Sequence, residues 1–109
     1  MLSGANLPKR VPALLALVSF CAFGAQTVDV VIEDYRFVPA EVRIKAGDAV
    51  RWSNREKRTS HSVLFPSENS LESPRLFPGE DWQRAFDKPG IFDYRCGPHE
   101  EMKGRVVVE

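Results

Sequence analysis

The sequence predicts an all-β fold, a small antiparallel β-sandwich, and three observations carry that expectation. Apolar residues alternate with polar ones in several short runs, the pattern of strands with one buried face. The runs recur about every ten residues, separated by turn chemistry, which is the spacing of a sandwich. Nothing along the chain has the period of a long amphipathic helix, and there is no repeat, heptad or low-complexity tract. A length of 109 residues allows one small domain.

The first 24 residues stand apart from that domain. MLSGANLPKR ends in two positive charges, and the charge-free run VPALLALVSFCAFGA follows. This is the layout of a secretory signal peptide, and the run is shorter than the roughly 20 apolar residues of a membrane span. Ala22-Phe23-Gly24 offers small residues at the exit, so cleavage is expected after Gly24, with Ala25 the alternative. Cys21 follows the bulky Phe20, unlike a lipoprotein cysteine, and Lys9-Arg10 is not a twin arginine. The expectation is Sec-type export, most simply to a bacterial periplasm, with one domain over residues 25–109 and no membrane span after cleavage.

Within that domain the strand-like runs come in order. Val28, Val30 and Ile32 share one face, then Val42 and Ile44, then Val50 and Trp52. Phe92, Tyr94 and Cys96 form a fourth face, and Val106 and Val108 a fifth. The breaks fall at Pro39, Ala46-Gly47-Asp48, Pro78-Gly79-Glu80 and Lys88-Pro89-Gly90, all turn formers. His61 opens an apolar strand, HSVLF. Residues 65–79 lack a period and read as a loop with at most one short strand, and the polar run 54–60 reads as a solvated loop.

Charge excludes one class of partner. Removing residues 1–24 leaves 13 basic and 15 acidic side chains, a net charge of −2, which is not the basic surface of a nucleic-acid binder. About 85 residues bury only a modest core, so an added staple would help. A disulfide cannot be that staple, because Cys96 is the only cysteine left after cleavage. A lone thiol in an oxidising compartment is a liability unless something occupies it.

The soft donors of the mature chain are one cysteine, two histidines and one methionine: Cys96, His61, His99 and Met102. Three of them fall within YRCGPHEEMKG, residues 94–104. Singly, each has an ordinary explanation: a small buried thiol, a core-filling thioether, surface imidazoles. Together they form a set poorly suited to calcium or magnesium, which take oxygen ligands. Structural zinc does not ordinarily use methionine either. A trigonal His₂Cys arrangement with a weak axial thioether is the ligand set of a blue-copper electron-transfer centre. A sandwich can bring the start of HSVLF beside the end of GIFDYRC and so complete it.

The segments FVPAEVRIKAGDAVRWSNRE, HSV and PGEDWQRAFDKPGIFDYRCGPHEEMKGRVVVE resemble the cupredoxins, the small type 1 copper proteins of the plastocyanin and pseudoazurin superfamily. The short Cys-x-x-His-x-x-Met spacing is similar to that of the amicyanin branch. The resemblance implies a Greek-key sandwich, one copper ion cycling between Cu(I) and Cu(II), and His61, Cys96, His99 and Met102 as its ligands. It also shows departures. Relatives commonly carry Asn after the first histidine and Ser or Thr after the cysteine, groups that tie the two ligand loops together. Here Ser62 and Gly97 stand in those places, so the tether is weakened or replaced. Glu100 and Glu101 follow the second histidine where amicyanins are often apolar, so a methylamine dehydrogenase partner does not transfer with the resemblance.

The functional expectation is a monomeric soluble electron carrier rather than an enzyme. It serves transient redox partners, for example a c-type cytochrome or a periplasmic dehydrogenase. The alternative is a copper carrier that delivers metal instead of electrons. His61, on a strand, is expected to be buried, and His99, on the loop, to be the port to solvent.

Overall fold

The computed structural model describes residues 24–109; the expected leader, apart from Gly24, lies outside the described residues. Nine strands and no helix occur there: β1 (Thr27–Glu33), β2 (Arg36–Val38), β3 (Glu41–Ile44), β4 (Ala49–Asn54), β5 (Leu64–Phe65), β6 (Leu71–Glu72), β7 (Asp81–Ala85), β8 (Gly90–Arg95) and β9 (Lys103–Val108). They form two sheets, β2-β1-β4-β7 and β3-β9-β8-β5-β6. The expected all-β sandwich is the observed one.

Strand direction is more mixed than the alternation suggested. β1 pairs with β4, and β3 with β9, in parallel, while the other pairs are antiparallel. The chain leaves the first sheet after β2, runs through β3 in the second sheet, and returns as β4 alongside β1. Alternation specifies which face is buried but is blind to strand direction. Each parallel pair therefore needed the crossover, not the local pattern, to reveal it.

The alternating side chains meet between the sheets. Val30, Ile32, Val50, Trp52, Phe65 and Val106 are fully buried there, with Tyr94 nearly so. Aromatic rings pack edge to face, Trp52 against Tyr94 at 5.3 Å and Phe37 against Tyr94 at 4.8 Å between centroids, a favoured geometry. Two local readings change. HSVLF is not a continuous strand: all five residues are buried, yet only Leu64–Phe65 pairs regularly, while His61 makes a single bridge to Leu76. The loop reading of 65–79 holds, apart from Phe65 at the end of β5, that bridge and the two residues of β6.

β7 was not foreseen, because its inward residues are Trp82 and Arg84 rather than aliphatics. Arg84 lies 4.5 and 4.4 Å from the ring centroids of Phe65 and Phe86 and donates two 2.7 Å bonds to Glu68. A cation whose head is paired and whose plane covers aromatic faces substitutes for an apolar residue.

Gly104 shows how tightly this core closes. Its φ is not positive, but a Cβ there would overlap the Tyr94 ring and hydroxyl. Gly104→Ala is expected to destabilise the apoprotein by about 2 kcal/mol, in the range of overpacking substitutions. Urea denaturation measures it, and an unchanged midpoint would mean that Tyr94 moves freely.

Candidate metal site

Two connections, one crossing between the sheets and one joining neighbouring strands of the second sheet, carry the donors. The β4–β5 connection brings His61, and the β8–β9 connection brings Cys96, His99 and Met102. The first is organised by Asn54, which is fully buried at the end of β4. Its amide donates to the carbonyls of Thr59 and Leu76, both at 2.9 Å, and its oxygen accepts the Glu56 N–H at 2.8 Å. The run 54–60 is therefore not simply solvated. Arg55, Lys57 and Arg58 face water, but Asn54 and Glu56 turn inward.

The second connection is closed by its own backbone. Cys96 N–H donates to the Met102 carbonyl at 2.9 Å, and Met102 N–H to the His99 carbonyl at 3.0 Å. The Arg95 guanidinium donates to the carbonyls of Cys96 and Gly97, at 2.9 and 3.0 Å. Seven residues from Cys96 to Met102 are thus tied at both ends and in the middle.

Three donor atoms converge. His61 Nδ1 and His99 Nδ1 are 3.1 Å apart, and each lies 3.5 Å from Cys96 Sγ. The centre of a triangle with these edges is about 2 Å from each corner, the distance at which imidazole binds a first-row divalent metal. One thiolate and two imidazoles at that spacing fit a borderline-to-soft metal ion. His61 and Cys96 are fully buried and His99 is half-buried, as expected, although His61 precedes β5 and is held by an isolated bridge rather than by a strand. Met102 is buried in the same core cluster as Cys96.

Glu56 and Tyr35 complete the surroundings of His61, and the sequence reading missed both. Glu56 Oε2 accepts from His61 Nε2–H at 2.8 Å and from the Tyr35 N–H at 2.9 Å. Burial pushes the Glu56 carboxyl upward, but the bonds from Tyr35 and His61 outweigh it and hold the pKa below its ordinary value. Burial also lowers the His61 pKa, only partly offset by Glu56. At neutral pH the pair is therefore a carboxylate and a neutral imidazole. The Nε2 proton is committed to Glu56, and the Nδ1 lone pair faces Cys96 and His99.

Tyr35 sits in a two-residue hairpin turn between β1 and β2. Asp34 and Tyr35 have φ of 55° and 57°, the left-handed pair of a type I′ turn. Its ring stands edge-on to both imidazoles, 5.3 Å from His61 and 4.9 Å from His99.

Because Glu56 fixes the His61 tautomer, Glu56→Ala is expected to weaken copper binding about 10–100-fold, the usual cost of losing such a partner. Competition against a chelator of known affinity measures this. Unchanged affinity would show that the imidazole is oriented without it.

The link between the two donor loops is replaced rather than lost. Ser62 Oγ accepts the Gly97 N–H at 3.0 Å and donates to Glu72 Oε2 at 2.6 Å. Glu100 and Glu101 are both exposed beside His99.

An all-β sandwich with one thiolate and two imidazoles converging at one edge defines a small copper protein of the cupredoxin class. Residues 25–109 match the family described as copper binding proteins, plastocyanin/azurin family, and the chain belongs to that family; its cofactor is copper. The chain is similar to amicyanins. It is 44% identical over 89 residues to amicyanin-alpha of Methylorubrum extorquens, covering 78% of this chain and 74% of that protein. It is 36% identical over 109 residues to amicyanin of Paracoccus denitrificans, covering 96% and 79%. The crystal structure of amicyanin from Paracoccus versutus matches with a TM-score of 0.71 at 33% identity, over 76% of this chain and 81% of that one.

Proposed function

We propose that the protein is a periplasmic type 1 copper electron carrier, with His61, Cys96, His99 and Met102 as its ligands. The observation that carries this reading is the set of three donor atoms, 3.1 to 3.5 Å apart, held by loops braced from both sheets. Bound copper supplies a one-electron couple between Cu(I) and Cu(II). The chain supplies a site that does not rearrange: Glu56 holds His61, the backbone bonds of Met102 hold the Cys96 loop, and burial excludes water. Met102 would offer a weak thioether donor, and the apolar shell would tune the potential.

His99 is the exit, since it alone of the three convergent donors is partly exposed. The chain has only two histidines and both are used here, leaving none for the second copper centre of an oxidoreductase. The protein is therefore read as a carrier and not an enzyme, acting as a monomer. Residues 1–24 are read as the leader that exports the domain 25–109; no helix among the described residues is long and apolar enough to span a membrane. The mass of the protein recovered from a periplasmic extract checks the cut after Gly24.

Partner choice follows from the rim. Glu100 and Glu101 place two negative charges beside the exit, and rim charges mainly govern encounter rate and its salt dependence. Redox pairs use small interfaces and part quickly, so steering decides which partner reacts. The expected partner has a positive face, as a basic c-type cytochrome does. In stopped flow, oxidation by such a cytochrome should slow as salt is added. Glu100→Gln/Glu101→Gln should be slower at low salt with a shallower salt slope. Identical rates and slopes would exclude the acidic rim while leaving the copper ligands in place.

A further inference from the structure

Ser62 and Gly97, each next to a ligand, are hydrogen-bonded to one another, and Ser62 is held in turn by a third residue, Glu72 of β6. Ser62 is 1% exposed and makes three contacts. Its N–H points at Cys96 Sγ at 3.5 Å, its hydroxyl donates to Glu72 Oε2 at 2.6 Å, and its oxygen accepts the Gly97 N–H at 3.0 Å. A hydroxyl has one proton. Ser62 therefore gives its one proton to Glu72 and uses a lone pair to accept the Gly97 N–H, so the carboxylate fixes the orientation of the hydroxyl that holds Gly97.

Glu72 is not a side chain that happens to pass by. It pairs with Leu64 in the β5–β6 ladder. The next residue, Ser73, clamps Val63 twice, accepting the Val63 N–H through Oγ and donating its own N–H to the Val63 carbonyl, both at 2.9 Å.

Gly97 has a matching reason to be glycine. Its φ is not positive, so the backbone does not demand glycine. Space does: an added Cβ would overlap Glu72 Oε2 and lie 2.6 Å from Ser62 Oγ. Glu72 occupies the volume that a side chain at position 97 would fill.

We propose that Glu72 is a positioning residue for the sulfur donor: acting through Ser62, it locks the Cys96-Gly97 backbone and keeps the Ser62 N–H on Sγ, and Gly97 is the residue that makes room for it. Its effect on the potential rests on Cys96 being a copper ligand, because hydrogen bonding around the cysteine sulfur tunes such centres. Its effect on the thiol of the apoprotein does not. The bond at its centre is short and charge-assisted, the stronger kind.

The test is a mutant cycle of Ser62→Ala, Glu72→Ala and the double variant, with Glu72→Gln as the conservative control. Alkylation of Cys96 by iodoacetamide in the apoprotein reports opening of the loop. Each alanine substitution should raise that rate about tenfold, the scale of one hydrogen bond to a charged group, and the double variant should add little to either. Glu72→Gln retains an oxygen acceptor and should alkylate near the wild-type rate. In the copper-loaded protein, the potential shift caused by Glu72→Ala should vanish once Ser62 is already alanine. Gly97→Ser should accelerate alkylation in the wild-type background and have no further effect when Ser62 and Glu72 are both alanine, since those are the two side chains its Cβ would meet. Wild-type alkylation in Glu72→Ala would overturn the proposal. So would single effects that multiply in the double variant, an equal potential shift with and without the Ser62 hydroxyl, or a Gly97→Ser defect that persists when Ser62 and Glu72 are both alanine. Because the alkylation arms need no metal, they separate failure of the relay from failure of the ligand assignment.

Discussion

Replacing Cys96 with serine abolishes the intense blue of the oxidised, copper-loaded protein. The colour arises from thiolate-to-copper charge transfer, and Cys96 is the sole cysteine among the described residues. Serine keeps the backbone bond from residue 96 to the Met102 carbonyl, 2.9 Å in the wild type, so the loop remains closed and the loss is chemical rather than structural. Serine also offers a harder oxygen in place of a soft sulfur, which weakens the site's preference for copper. A visible spectrum after adding one equivalent of Cu(II) decides the matter. A variant that stays blue would remove Cys96 from the ligand set.

Met102→Gln retains copper but lowers the reduction potential. The bonds that close the loop at Met102 are made by its backbone, to Cys96 and His99, and glutamine keeps both. The side chain exchanges a thioether for an amide oxygen, a harder donor that favours Cu(II). Every tenfold gain in preference for the oxidised state appears as a fall of about 59 mV in a one-electron couple. Voltammetry showing the wild-type potential would mean that the thioether is not axial.

The donors were legible because they are scarce. One thiol, one thioether and two imidazoles stand out among residues 25–109, and Cys-x-x-His-x-x-Met places three of them on one short loop. Their partners were not legible. Glu56 and Glu72 are two of 15 acidic residues in the chain, and nothing local separates them from solvated ones. Glu56 matters because Asn54 folds its loop inward, and Glu72 because β6 lies beside β5. Tyr35 acquires its place from a hairpin turn in which Asp34 suits a left-handed conformation but Tyr35 does not advertise one. Among the strands, the alternating runs were readable from their buried faces. β7 was hidden because Arg84 fills an apolar position by stacking on phenylalanines. The substitution of the usual tether was visible at Ser62 and Gly97, but its third member, supplied by a different strand, was not.

Repeated redox cycling in the presence of a Cu(I) chelator tests the central reading most directly. The domain of residues 25–109, loaded with one copper, is reduced and reoxidised while its blue absorption and copper content are followed. An electron carrier bleaches and recovers fully over many cycles, with one copper per chain throughout, because the braced loops hold both oxidation states. Loss of copper to the chelator at the first reduction would contradict the account and identify a protein that delivers metal rather than electrons.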